Sequence, residues 1–243
     1  MSKSPLIIKK YGDKYKVTIC KLDVWEKESY ENFNGKEKEN TETEEVGKLQ
    51  NNISRAKGKV FEYAKCNDWQ YFATLTLDKK KKDRYNLQVY IRDLGRFIRN
   101  ERARTGADIK YLLIPEQHKD TAWHMHGYFY GIPQSDVVQN EYGYYSWERY
   151  AQKFGYCSLD KIKDKERCDN YITKYISKEM GGLAIEKNKK LYYVSRGLNT
   201  AEVLHQAYTS EKINKPDFEN DFVQIKWLDT LGEVQALFHL LQL

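Results

Sequence analysis

Two histidines one residue apart, His124 and His126, are the residues whose types and spacing point most directly to chemistry. They lie in a run of apolar and aromatic residues, Trp123–Tyr130, that is typical of a β-strand. Side chains at i and i+2 of a strand leave the same face, with Cα atoms about 7 Å apart. Two imidazoles held side by side on a sheet suit one divalent cation, whereas the alternative is a pair that only faces solvent or a neighbouring strand.

A second stretch carries two tyrosines and two lysines at helical spacing. On a helix, Tyr171 and Tyr175 are i, i+4 neighbours about 6 Å apart, and Lys174 and Lys178 repeat the same offset. Each tyrosine therefore has a lysine one turn or less away. A pair of glycines shortly afterwards is a typical helix stop signal. The alternative interpretation is an ordinary amphipathic helix with half-buried tyrosines and solvated lysines.

Taken in this order, the two stretches resemble the HUH endonuclease superfamily, and in particular the rolling-circle replication initiators of phages and plasmids. Members of that family carry two metal-binding histidines on a central strand and nucleophilic tyrosines on a downstream helix, as Tyr-x-x-Lys-Tyr in the two-tyrosine members. His-Met-His at 124–126 followed by Tyr-Ile-Thr-Lys-Tyr at 171–175 fits, and Phe-Ala-Thr-Leu-Thr-Leu-Asp at 72–78 resembles the upstream strand.

The resemblance implies a nickase that cuts single-stranded origin DNA and later rejoins strands. Mn²⁺ or Mg²⁺ would act on the scissile phosphate as a Lewis acid, and Tyr171 or Tyr175 would attack phosphorus. Lys174 or Lys178 would lower the pKa of the phenol or steady the phosphate charge. The products would be a 5′-phosphotyrosine link and a free 3′-OH. Because the sequence has no G-x-x-x-x-G-K-[ST] motif, we expect a host helicase and polymerase to act in trans.

A third metal ligand is expected from the hairpin that precedes the histidines. Residues 109–114 have a strand pattern that ends at Pro115, and the strand of His124 returns antiparallel after a turn. An ion bound by two imidazoles favours a harder third ligand, and Glu116 is the best-placed carboxylate. The resemblance supports Glu116, because phage-type members often supply a glutamate just before the paired histidines. His118 and Gln117 are its rivals.

Basic residues cluster between the first strand motif and this hairpin. Arg92, Arg96 and Arg99 have i, i+4, i+7 spacing and form one ridge of a predicted helix. Most charged helical faces are only solvated, but here nearly every charge is positive and a lysine run comes directly before. We therefore predict phosphate contacts from this set. Its members are Lys79, Lys80, Lys81, Lys82, Arg84, Arg92, Arg96 and Arg99.

Composition sets further bounds. The chain has 243 residues, a formal net charge of +6 and 20 tyrosines, which fits a polyanionic partner without requiring one. Its four cysteines show no Cys-x-x-Cys spacing, so neither a zinc knuckle nor a disulfide framework is indicated. No signal peptide or membrane-length apolar run is present. We expect a protein of the host-cell cytoplasm, with single-stranded DNA as partner and no membrane association.

The order of strand and helix patterns predicts an α+β fold, an antiparallel sheet with helices against one face. The resemblance narrows this to the ferredoxin- or RRM-like HUH fold. We predict an N-terminal hairpin with an acidic mobile loop at 1–48, the endonuclease domain at 49–210, and a C-terminal extension at 211–243 that packs on it or forms a partner surface. Alternation along the first strand motif turns Thr74 and Thr76 towards the site, although threonine simply suits strands. Residues 200–208 have the pattern of a short helix.

Two other classes of function compete with the nickase. One is an RRM-like protein that binds single-stranded nucleic acid without chemistry. The other is a different HUH enzyme, a transposase or a relaxase. Relaxases usually carry a third histidine and tyrosines near the N-terminus, and transposases usually have a single tyrosine, so the order of motifs here disfavours both.

Overall fold

The computed structural model describes residues 3–21, 42–140, 143–164, 172 and 190–240. The chain divides into two compact units. Residues 43–199 form one, called here the histidine unit, and residues 1–42 with 200–243 form the other, called the terminal unit. The predicted boundaries at 48 and 210 differ, because the N-terminal hairpin and the C-terminal segment share one sheet instead of forming separate appendages.

The described elements are numbered in chain order. They are β1 (Ser4–Tyr11), β2 (Lys14–Cys20), α1 (Glu42–Cys66), β3 (Tyr71–Thr76), α2 (Leu87–Thr105), β4 (Lys110–Gln117), β5 (Trp123–Tyr130), β6 (Val137–Gln139), β7 (Tyr145–Trp147), α3 (Glu148–Lys153), β8 (Cys157–Lys161), β9 (Tyr193–Val194), β10 (Glu202–Thr209), β11 (Phe218–Glu219), β12 (Val223–Leu228) and α4 (Leu231–Leu240). Helix α1 begins at Glu42, so the predicted loop through residue 48 is helical in its last part. Among the described residues, no helix is long and apolar enough to cross a membrane.

The described strands of the histidine unit form a seven-stranded sheet in the order β6-β7-β8-β3-β5-β4-β9. Neighbouring strands pair antiparallel, and β5 lies between β3 and β4. The α+β class and the antiparallel sheet are confirmed, and the architecture is consistent with a ferredoxin- or RRM-like fold. The strand that carries the two histidines is thus an interior strand with a hydrogen-bonded neighbour on each side.

Helices pack against both faces of this sheet, so the prediction of one covered face was wrong. On one face, Leu94 and Phe97 of α2 pack with Met125 of β5. On the other, Val60 of α1 packs with Tyr128 of β5. The physical reason is the apolar alternation of β4 and β5, whose second face carries enough aliphatic and aromatic residues near α1 to need a cover of its own.

Gly127 allows β4 and β5 to approach closely beside the histidines. Its φ is +154°, and a Cβ at this position would lie 1.9 Å from the Leu112 carbonyl oxygen. We expect Gly127→Ala to lower the free energy of unfolding by about 3 kcal/mol, through backbone strain together with overpacking. Denaturant titration followed by circular dichroism measures this change.

Gly58 provides the matched control, because it is an exposed residue of α1 where an added Cβ would meet no atom within 4 Å. Gly58→Ala should leave the stability unchanged or raise it by up to about 1 kcal/mol, since alanine favours helix. Equal stability of Gly127→Ala and Gly58→Ala would contradict the close approach at β5.

The described strands of the terminal unit form a five-stranded sheet in the order β10-β1-β2-β12-β11. Helix α4 covers one face, where Val234 joins Leu6, Ile8 and Val17 in a buried cluster. The predicted helix at 200–208 was wrong. These residues lie mostly in β10, which pairs antiparallel with β1, and pairing with a strand from the other end of the chain overrides the local helical pattern.

Candidate metal centre

The β4–β5 hairpin brings the three predicted ligands onto one face of the sheet. Glu116 lies directly opposite His124 in the strand register, as predicted, and Ile114 lies opposite His126. The Glu116 Oε2 atom is 2.7 Å from His126 Nε2. One carboxylate and two imidazoles therefore share a small, partly buried area.

The neighbouring strand β3 orients both imidazoles. Thr76 is the cross-strand partner of His124, and Thr74 is the partner of His126. Thr76 Oγ1 lies 2.9 Å from His124 Nδ1, and Thr74 Oγ1 lies 3.2 Å from His126 Nδ1. The prediction that both threonines face the site is confirmed. Each ring has its Nδ1 engaged by a hydroxyl, which fixes the ring plane and leaves Nε2 for another partner.

Burial keeps both imidazoles in the form that can bind a metal. It lowers the pKa of His126 to about 4, although the negative charge of Glu116 opposes the shift. Burial also lowers the pKa of His124, helped by the nearby His118. Neutral imidazole is the ligand form of histidine, so neither ring must lose a proton near neutral pH before it coordinates an ion.

The donor set fits a divalent ion after a change of tautomer. Adjacent ligands about 2.1 Å from an octahedral ion are about 3 Å apart, close to the observed Glu116–His126 separation. When Nδ1 of His126 donates to Thr74, its Nε2 lone pair faces a carboxylate oxygen, and a cation between the two removes that repulsion. Among the described side chains, no group of three His, Cys, Asp or Glu residues already surrounds one point at ligand distances. The direct Glu116–His126 contact takes up that space.

The two rival ligands are placed less favourably than Glu116. The Gln117 amide donates to the Thr121 carbonyl oxygen at 3.1 Å, which ties it into the turn. His118 stacks on His124 with ring centroids 3.8 Å apart and an interplanar angle of 13°. The lone pairs of parallel rings point along parallel lines, so stacking does not aim both at one ion. The stack instead supports the ring of His124, a role for His118 that spacing alone did not indicate.

An ion pair beside the hairpin turn was also missed by the sequence. Arg84 Nη2 lies 2.9 Å from Asp120 Oδ2. The Arg84 carbonyl oxygen accepts from the backbone N–H of Trp123, the residue before His124. Because Arg84 follows β3 and Asp120 precedes β5, only the folded hairpin reveals the pairing. It sets one cationic side chain at the histidine end of the sheet.

The other predicted phosphate-binding residues divide into different environments. Lys79 and Lys80 are exposed just after β3. Lys82 pairs with Asp93 at 2.8 Å, and Lys81 donates to the Ala151 carbonyl oxygen. The ridge of Arg92, Arg96 and Arg99 is exposed on α2, which packs against the sheet face opposite the histidines. The structure therefore does not bring the arginine ridge to the candidate metal centre.

The predicted nucleophile segment is represented by one described residue. Tyr171, Lys174, Tyr175 and Lys178 lie outside the described residues. Ile172 is fully buried and belongs to the same hydrophobic cluster as Ile114, the cross-strand partner of His126. A residue of this segment is thus anchored on the sheet face that carries the histidines.

An α+β unit with paired histidines on an interior strand, a facing glutamate and a downstream segment anchored on the same face defines the class of site. Residues 70–180 match a family model for replication-associated proteins of the ORF2 type. The matched range contains β3, α2, the β4–β5 hairpin and Ile172, and it supports a replication-associated protein. No significant match was found among curated proteins or among solved structures.

Proposed function

We propose that this chain is an HUH-type initiator of rolling-circle replication, a metal-dependent nickase and strand transferase that acts on single-stranded origin DNA. The observation that carries the proposal is the cluster of Glu116, His124 and His126 on one sheet face, with both Nδ1 atoms held by threonines. The family match over residues 70–180 and the burial of Ile172 on that face support it.

In this proposal Glu116, His124 and His126 hold Mn²⁺ or Mg²⁺, and Thr74 and Thr76 orient the rings. A bound ion would withdraw charge from the non-bridging oxygens of the scissile phosphate. Tyr171 or Tyr175 supplies the attacking phenol, which has an ordinary pKa of about 10 and needs help from Lys174 or Lys178 to ionise. The tyrosine O–P bond forms as the P–O3′ bond breaks. The phenol gives up its proton, and the departing 3′ oxygen takes one up.

The charged residues have separate parts in the proposal. Arg84 lies near enough to the histidine end to contact the phosphate next to the cut, and Lys79 and Lys80 extend that surface after β3. Arg92, Arg96 and Arg99 lie on the other layer, so they would hold flanking DNA and not the scissile phosphate. A host helicase and polymerase would unwind the DNA and extend the free 3′-OH.

The competing function is a binder of single-stranded nucleic acid without chemistry. Incubating the chain with end-labelled single-stranded DNA from its own replicon, with and without Mn²⁺, separates the two. We expect metal-dependent cleavage at a unique position. Tight binding with no cleavage under any metal condition would favour the binder.

The threonine contacts lead to a prediction about metal affinity. Thr76→Val keeps a β-branched strand residue but removes the hydroxyl that lies at His124 Nδ1. We expect the dissociation constant for Mn²⁺ to rise about 10- to 100-fold, because groups that orient metal-bound histidines contribute on that scale. Isothermal titration calorimetry of the metal-free chain measures it. Thr18→Val, in the terminal unit, is the control, and equal Mn²⁺ affinity of the two variants would contradict the role of Thr76.

A further inference from the structure

The terminal unit presents one sheet face that α4 does not cover. Strand register places Gln206, Ile7, Thr18, Ile225 and Phe218 in one row that crosses all five strands. The helix packs on the opposite face, where the buried cluster lies. We call the face of this row the open face. Its five strands span about 19 Å between the outer strand axes.

The open face carries exposed aromatic rings near both edges. Phe218 on β11 is 50% exposed, and Tyr208 on β10, opposite Pro5 of β1, is 64% exposed. Exposed rings of this size are uncommon on a sheet without a partner. A flat aromatic surface is what an unpaired nucleobase stacks on, and such stacking tolerates any base.

Two lysines face each other in the middle of the open face. Lys9 and Lys16 are direct cross-strand partners on β1 and β2. The Lys16 ammonium lies 5.8 Å from the ring centroid of Trp227, which itself makes an edge contact with Tyr11 at 5.3 Å. Like charges directly opposite on a sheet destabilise it, so the pair costs stability unless an anion lies between them.

The charge balance of the open face points to a polyanion. Burial, together with the charge of Lys9, lowers the pKa of Lys16 below its ordinary value. Lys14 on the same face pairs with Asp229 at 3.3 Å, whereas no ion pair joins Lys9 or Lys16 to a carboxylate of the described residues. The outward-facing positions of the five described strands contain no Asp or Glu.

We propose that the open face binds single-stranded DNA, with bases stacked on Phe218 and Tyr208 and a backbone phosphate held between Lys9 and Lys16. A single strand fits better than a duplex, because only unpaired bases can offer their faces to rings on a flat sheet. These residues lie outside the range 70–180 that matches the family model. The platform would hold DNA whether or not the histidine unit cleaves it.

The test uses the full chain and a fluorescent oligothymidine strand followed by anisotropy. We expect Tyr208→Ala/Phe218→Ala to weaken binding about tenfold or more, since each stacked base contributes on that scale. Lys9→Ala/Lys16→Ala should reduce the slope of log K against log[salt] by about 1.4, for two phosphate contacts on a single strand. Its melting temperature should stay equal or rise, because a like-charge pair is removed.

Two matched controls carry the same kinds of change elsewhere. Tyr144→Ala removes a ring that is 56% exposed in the histidine unit, and Lys3→Ala/Lys212→Ala removes two exposed lysines outside the strands. Both should bind like the unchanged chain. Affinity and salt slope in the open-face variants equal to these controls would overturn the proposal, as would tighter binding of duplex than of the single strand.

Photocross-linking locates the contact directly and separates this proposal from the nickase. Oligothymidine with 5-iodouracil at alternate positions should cross-link to peptides of residues 200–240, and this should persist in a chain that does not cleave DNA. Cross-links confined to residues 70–180 would overturn the open-face proposal and leave the nickase standing. Preferential cross-linking of an oligouridine RNA of the same length would overturn the choice of DNA.

Discussion

The variants His124→Ala and His126→Ala should each lose metal-dependent strand cleavage by about 10³-fold or more while binding single-stranded DNA nearly as well as the unchanged chain. Loss of an ion that stabilises charge at the phosphate removes several kcal/mol of transition-state stabilisation, and about 4 kcal/mol corresponds to this factor. Binding should persist because phosphates away from the cut are held by lysines and arginines. Quantitative gel assays of cleavage and anisotropy measurements of binding give the two numbers.

His239→Ala is the matched control, since His239 is exposed on α4 in the terminal unit. It should cleave normally. Glu116→Ala should behave like the histidine variants, because its carboxylate contacts His126 directly. Full cleavage by the chain with both His124→Ala and His126→Ala would end the metal hypothesis.

The second large effect is expected at the tyrosines. We expect Tyr171→Phe/Tyr175→Phe to form no covalent adduct with DNA, and at least one single variant to form less than the unchanged chain. The phenolic oxygen is the group that becomes bonded to phosphorus, and phenylalanine lacks only that oxygen. Denaturing gels with labelled DNA detect the adduct. We expect Tyr175 to make the first cut, because it has Lys174 beside it and Lys178 in the next turn.

Thermal melting distinguishes a nucleophile from a packing residue. A tyrosine needed only for the core would lower the melting temperature without removing activity at constant fold, whereas the nucleophile variants should melt nearly normally. Tyr156→Phe, at a tyrosine that is 59% exposed, is the control for the substitution itself. An adduct that survives in the double variant would place the nucleophile elsewhere in the chain.

The site was largely predictable because its geometry is local. His124 and His126 lie on one strand, and Glu116 lies on the strand joined to it by a short turn, so period-two alternation and a hairpin suffice to bring them together. Thr74 and Thr76 followed from the same alternation on a neighbouring strand. What alternation could not give is their pairing, Thr74 with His126 and Thr76 with His124, which depends on the register between β3 and β5.

The features that were missed depend on contacts between distant parts of the sequence. The segment at 200–208 has a good local helical pattern, yet β10 is fixed by pairing with β1 from the other end of the chain. The ion pair of Arg84 with Asp120 joins two loops that only the folded hairpin brings together. The second helical layer was missed because the aliphatic positions of β4 can be buried by a helix from either side.

The central claim is that a tyrosine of this chain becomes covalently joined to a 5′ phosphate in a reaction that needs a divalent metal. The most direct measurement incubates the chain with single-stranded DNA from its own replicon and Mn²⁺, digests the product, and sequences the DNA-linked peptide by mass spectrometry. We expect a phosphotyrosine at Tyr171 or Tyr175, a free 3′-OH on the released strand, and neither product when EDTA is present. Cleavage that leaves no protein–DNA link, or a link that forms equally well in EDTA, would contradict this account.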